Sequence, residues 1–195
     1  MRRHAATLLF ACALAALGPP VFATENGFPE DKARAFVTEA LNTWAADPVL
    51  ISAVLAQNLR HAGLTQADID RLDQGWMSEL GASVQPTISS VLGTPASDML
   101  RNQVELAAGS ISEVFVMDSL GLNVASAGTT SDYWQGDEAK FQETYPKGPG
   151  ALHIGEVEFD ESSQAYQVQV SFSLTDPADG SVIGAVTVAL NAEQF

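Results

Sequence analysis

Residues 166–174 constrain the fold more than any other part of the sequence. Tyr166, Val168, Val170, Phe172 and Leu174 alternate with Gln167, Gln169, Ser171 and Ser173. A period of two puts successive side chains on opposite faces of an extended strand, whereas a helix would scatter the same residues around its circumference. One face is apolar and the other polar, so the strand belongs to a sheet packed on a core on one side only. Asp176-Pro177-Ala178-Asp179-Gly180 reads as a turn, and Val182 to Leu190 as the strand after it. Upstream, Ile111 to Met117 has strand length, Asp118-Ser119-Leu120-Gly121 has hairpin-turn chemistry, and Leu122 to Ser126 is the returning strand. Residues 127–150 are irregular and glycine-bearing, with a short helix expected from Asp137 to Thr144, and Leu152 to Phe159 forms another strand.

The first half of the chain has a different period. Ala33, Phe36, Val37, Ala40, Leu41 and Trp44 fall on one helical stripe. Asp47-Pro48 punctuates it, since Asp is a good N-cap and Pro suits the first helical position. Leu50, Ile51, Val54, Leu55 and Leu59 continue the pattern to Gly63, so the two stretches read either as separate helices or as one long kinked helix. Thr65 caps a further helix striped by Ile69, Leu72, Trp76 and Leu80, and Thr94-Pro95 opens another from Ala96 to Ala108. Helices first and strands second give an α+β class, expected as an antiparallel meander with a helix-bearing insertion after the second strand.

Residues 1–23 read as an address and not as part of the fold. Arg2-Arg3 precedes an apolar run from Ala5 to Leu17, then Gly18-Pro19-Pro20 and a small-residue cleavage site at Val21-Phe22-Ala23. The run is short of the ~20 residues that span a bilayer. Cleavage near Ala23 removes Cys12, the one cysteine, which excludes disulfide and thiolate chemistry from the exported chain. The expectation is a periplasmic or secreted product that is not membrane-embedded. With 24 acidic residues against 9 Lys+Arg, the net charge of −15 repels phosphate backbones and argues against nucleic acid as a partner.

Catalysis finds little support. No Gly-x-Ser-x-Gly elbow and no phosphate-binding glycine loop occurs. His61 sits at a helix end, where a cation complements the dipole, and His153 lies in or beside a strand. The chain is therefore read as a non-enzyme without a cofactor. Asp132, Asp137 and Glu138 form one acidic group, and Glu156, Glu158, Asp160 and Glu161 another. Neither has calcium-loop spacing, so a solvated acidic face is expected, with Asp132, Asp137 and Glu138 as weak metal candidates. The segment Thr129 to Phe141 is more informative. Tyr133-Trp134 in a glycine-bearing loop, followed by Asp137 and Lys140, has the aromatic-plus-polar character of a small-molecule pocket. The alternative is a loop that staples itself to the sheet with those two rings.

Several of these segments together resemble the Cache superfamily, the PAS-like extracytoplasmic sensor domains of bacterial receptors. The resemblance rests on Val114-Phe115-Val116-Met117-Asp118-Ser119-Leu120-Gly121-Leu122-Asn123-Val124-Ala125, on Thr130-Ser131-Asp132-Tyr133-Trp134-Gln135-Gly136-Asp137-Glu138, on Ile154-Gly155-Glu156-Val157 and Asp160-Glu161-Ser162, on Tyr166 to Ser171, and on the hairpin through Asp176, Gly180 and Ile183-Gly184-Ala185 to Val188. It covers roughly residues 96–195, with residues 24–95 as a helical segment of the same structural unit. It implies a five-stranded antiparallel sheet with a long N-terminal helix on one face, and a ligand on the other under the loop and short helix.

The resemblance implies a sensor domain that binds a small polar metabolite; family members usually sit beside membrane helices, and this chain departs from that, so it is expected as a stand-alone, exported form that modulates a membrane receptor: a kinase, cyclase or chemoreceptor. The expected ligand-binding set is Asp132, Tyr133, Trp134, Asp137 and Lys140 from the loop, with His153, Gln169, Ser171 and Ser173 from the sheet, provided the polar face of the fourth strand points into the pocket. No Arg follows Arg101, so the family's arginine for a ligand carboxylate is missing and a cationic or polar ligand fits as well. The rival reading is a module without a small ligand, whose amphipathic helix offers a dimerisation surface and whose acidic face docks a cation or a basic partner.

Overall fold

The structure is a computed structural model, and it describes residues 27–160 and 164–195. The proposed leader with Cys12, Glu161 of the second acidic group, and Ser162 of the resemblance lie outside the described residues. Five helices come first: α1 (Glu30–Thr43), α2 (Pro48–His61), α3 (Gln66–Glu79), α4 (Pro86–Leu92) and α5 (Pro95–Leu106). Strands β1 (Ile111–Met117) and β2 (Asn123–Ser126) come after them. Next are α6 (Ala139–Gln142) and a 3-10 turn (Tyr145–Lys147), then β3 (Leu152–Asp160), β4 (Ala165–Thr175) and β5 (Val182–Asn191). Among the described residues no helix is long and apolar enough to cross a membrane.

The helix starts obey their capping chemistry. Asp47 accepts from the Val49 N–H, with Pro48 in the first position of α2. Residues 44–46 form a turn, so the leading helical segment is two 14-residue helices and not one long one. Thr65 and Asp68 form a reciprocal capping box on α3, and the Thr65 hydroxyl is the main reason the Asp68 carboxyl is held below its ordinary value. The stripe of α3 is shorter than its spacing predicts: Leu80 lies past the last turn and is exposed. Glu79 there accepts from the N–H groups of Thr87 and Ile88 and from the Thr87 hydroxyl, at 2.6–3.0 Å, and so serves as the missing cap of α4. Partial desolvation opposes its ionisation, but those hydrogen bonds win and keep its pKa below the usual glutamate range.

The sheet is five-stranded and antiparallel, in the order β2-β1-β5-β4-β3. This corrects the expected meander. β1-β2 and β3-β4-β5 each run as neighbours in sequence order, but β5 inserts between β4 and β1 and so separates β2 from β3. Such insertion is invisible to local pattern because both partners of β5 are chosen by long-range packing.

The alternation of β4 divides the molecule. Val168, Val170, Phe172 and Leu174 join Val114, Val116, Val186, Val188 and Leu190 in a core with Leu50, Ile51 and Val54 of α2, Ala33 and Ala40 of α1 and Leu100 of α5. Glu113, Phe115 and Met117 of β1, Ala185, Thr187 and Ala189 of β5, and Gln169 and Ser171 of β4 share the opposite face, as their register shows. There Phe141 of α6 and Tyr145 of the 3-10 turn stack at 5.2 Å and cover Phe115, Met117 and Ala185. The expected helix over 137–144 is thus shorter, with the 3-10 turn completing the cover.

Candidate functional site

Small residues make room on the polar face. Ala189 of β5 pairs with Glu113 on one side and with Gln169 on the other, so two long polar side chains flank an alanine floor. Above them lies a cavity of about 630 Å3 lined by Glu113, Glu138, Lys140, Glu156, Glu158, Asp160, Gln167 and Gln169. Gly155 and a break in β3 register between Ile154 and Val157 let the carboxylate-bearing part of that strand turn toward it. Desolvation raises the pKa of Glu113. The charge of Lys140 opposes the rise, and that of Asp160 adds to it. Gln167 donates to Asp160 at 2.8 Å, which orients both. The wall is strongly acidic, with one ammonium group.

Lys140 is not a free cation. Its ammonium lies 3.1 Å from Glu138, donates to Gln135 Oε1 at 3.1 Å, and sits 5.5 Å from the centre of the Phe115 ring. It therefore props α6 onto the loop and the sheet, and its charge is spent on Glu138 before any ligand arrives.

The rest of the expected set is dispersed. Of the residues named from sequence, Lys140 and Gln169 line the acidic cavity, together with the weak metal candidate Glu138. The Tyr133 ring is buried and stacks on Trp76 of α3 at 5.4 Å and 14°, facing a separate cavity near α2 and α4. Trp134 donates from Nε1 to the Leu120 carbonyl at 2.8 Å. Asp137 is exposed, and Asp132 accepts from Ser131 at 2.7 Å. His153 lies on β3 opposite Ser171, half-buried, and lines neither cavity. Ser171 is buried and bonded to Thr187 at 2.9 Å, whereas the buried Ser173 hydroxyl has no hydrogen-bond partner among the described residues. Among the described residues, no three His, Cys, Asp or Glu side chains are grouped to hold a metal ion, so Asp132, Asp137 and Glu138 do not converge.

The loop motif has a structural explanation. The Tyr133 and Trp134 N–H groups both donate to Asp73 of α3, the Thr130 carbonyl accepts from Trp76 Nε1, and the Gln135 N–H reaches the Gly121 carbonyl. Gly121 has φ of 84°, and a Cβ there would lie 2.5 Å from Gly136 Cα. The two glycines are needed because the hairpin turn and the loop touch backbone to backbone. The staple reading of the two aromatic rings is the one the contacts support.

Sequence reasoning missed a second polar centre. Asp118 has no exposed surface. Its carboxylate accepts from the Leu120 and Leu122 N–H groups and from Gln57 Nε2 at 2.8–3.0 Å, and lies 2.7 Å from His61 Nδ1. His61 therefore does more than complement a helix dipole: it ties α2 to the hairpin turn. The signal was Asp118 itself, since a turn aspartate of the hairpin motif invites a partner, but the 57-residue separation hid which one.

The five-stranded antiparallel sheet, with helices on its apolar face and α6 on its polar face, is the α+β arrangement expected from the sequence. No protein-family model matches the chain, and no curated protein matches it. Solved structures similar to it are sensor and ligand-binding domains. One is the V. cholerae histidine kinase DctB sensor domain, 16% identical over 84% of this chain and 55% of that one, with a TM-score of 0.38. Another is the sensory domain of the Campylobacter jejuni chemoreceptor Tlp3 with isoleucine bound, 12% identical over 86% and 66%, TM-score 0.38. A third is the ligand-binding domain of the Pseudomonas aeruginosa PAO1 amino-acid chemoreceptor PctC with GABA, 13% identical over 83% and 62%, TM-score 0.40. The chain spans between 55% and 66% of the length of these three.

Proposed function

We propose that this chain is an exported sensor domain that binds a small, polar, cationic molecule between α6 and the polar face of the sheet, and that it passes its bound state to a membrane signalling partner of the kinase, cyclase or chemoreceptor kind. The observation that carries the reading is the acidic cavity. Glu113, Glu156, Glu158 and Asp160 face a volume suited to a metabolite, and its one lysine is already paired with Glu138. An ammonium or amidinium group is the chemical complement of a wall of carboxylates. The site residues proposed are Glu113, Glu156, Glu158, Asp160 and Gln169, with Lys140 as a prop.

The test is a thermal-shift and calorimetric panel of diamines, polyamines, basic amino acids, organic acids and divalent cations. A true ligand stabilises by RT ln(1 + [L]/Kd), about 2.7 kcal/mol at 100 Kd. Stabilisation by an organic cation, lost in Glu113→Gln and Glu156→Gln, supports the reading. Silence across the panel, or a response to divalent cations alone that survives both changes, favours the module with an acidic docking face.

A further inference from the structure

The cavity beside Tyr133 is the chemical inverse of the acidic one. It measures about 400 Å3 and lies between α2, α4 and β2, with Val91, Val124 and the Tyr133 ring among its walls. Arg60 and His61 of α2 bring cationic and imidazole groups to it.

Arg60 is set apart by what it lacks. Arg34, Arg71 and Arg101 each pair with a carboxylate one helical turn away, at Glu30, Asp68 and Asp98. Arg60 has Ala56, Gln57, Gly63 and Leu64 at those spacings. Among the described residues it forms no ion pair, in a chain with 24 acidic side chains.

Its neighbours are ordered in advance. Asp118 accepts from four directions, so His61 Nδ1 carries the proton toward it and Nε2 is the ring nitrogen left for the cavity. Tyr133 is fixed by its stack on Trp76, and its hydroxyl has no protein partner among the described residues. Burial, and then the charge of Asp118, push that phenol up to about 12, with Arg60 opposing, so it remains a hydrogen-bond donor at any physiological pH. The carboxylates nearby are both occupied: Asp118 as described, and Asp73 by the N–H groups of Tyr133 and Trp134.

We propose that this cavity is a second binding site, for a small carboxylate. The Arg60 guanidinium takes the carboxylate oxygens, the Tyr133 hydroxyl donates a further hydrogen bond, and Val91 and Val124 receive a short alkyl or aryl tail. The site is independent of the acidic cavity: it lies on the helical side of the molecule and takes the opposite charge.

Butyrate and benzoate are titrated into the purified protein and followed by calorimetry and thermal shift, with inorganic phosphate and putrescine as separate arms. Saturable carboxylate binding is expected. Arg60→Gln should weaken it about tenfold or more, Arg60→Lys less, and Tyr133→Phe, which keeps the stack on Trp76, about threefold. Arg71→Gln, which removes an exposed arginine of α3 that lines neither cavity, should leave it unchanged. Absence of saturable carboxylate binding, equal binding by Arg60→Gln, or phosphate binding as tight as butyrate overturns the proposal. The putrescine arm reports on the acidic cavity alone, so either site can fail without the other.

Discussion

The two faces of the sheet are built from the same strands and finished in opposite ways. On the apolar face, β-branched and aromatic residues of β1, β4 and β5 meet α1, α2 and α5 in one continuous core. On the other face, a four-residue helix and a 3-10 turn cover one end and leave Glu113, Gln167 and Gln169 facing open volume. A single alternating strand can therefore supply both stability and a binding surface. Residues at even positions of β4 hold the domain together, while Gln167 and Gln169 at odd positions face the acidic cavity.

Truncating β4 on each side tests the contrast most directly. Phe172→Ala, on the packed face, should cost about 3–5 kcal/mol in urea unfolding. Gln169→Ala, three residues earlier and half-buried on the open face, should stay within about 0.5 kcal/mol. Equal losses would mean that the open face is also core. Next in size is Asp118→Asn. An amide must turn a donor toward Gln57 Nε2 or His61, and the buried clash should cost about 2–3 kcal/mol, read in the same assay. Thr65→Ala removes one half of the capping box of α3, well away from either face, and should cost about 1 kcal/mol.

The smallest effect is one of pH. Burial raises the carboxyl of Glu113, so between the ordinary glutamate value of 4.5 and its folded value the folded chain holds a proton that the unfolded chain has released. Stability therefore falls as pH rises through that interval, and Glu113→Gln should flatten this part of the profile. Cation affinity in the acidic cavity should change in the opposite sense, strengthening as Glu113 ionises. Proton release on binding, measured by calorimetry in two buffers, checks it.

Local chemistry was legible in the sequence wherever one short stretch decides the structure. The strands over 111–117 and 165–175, the caps at Asp47, Thr65 and Thr94, and the turn at Asp118–Gly121 all depend on residues within a few positions of one another. The α4 helix was not legible, because seven residues are too few for a stripe and its cap comes from Glu79. Nor was the place of β5, which satisfies two neighbours far away in the chain. For the candidate site the same limit applied. Tyr133 and Trp134 have the composition of a pocket loop, yet Trp76, Asp73 and Leu120 claim them, and nothing local reveals so distant a stacking partner. Glu156 and Glu158 read as solvated surface, because their nearness to Glu113 is a product of strand order.

That strand order has a consequence for solubility. The sheet has two margins, and unpaired backbone groups along a margin invite another chain to pair with them. At β2 the margin is four residues long and sheltered by α4 and α5. At β3 it is nine residues long and unsheltered along its second half, where Glu156 and Glu158 stand exposed beside a break in register. Repulsion between copies and an irregular backbone together keep that margin from recruiting a second molecule. The carboxylates that wall the acidic cavity thus also disfavour edge-to-edge pairing, and a ligand that neutralised them would have to shield the strand it uncharged.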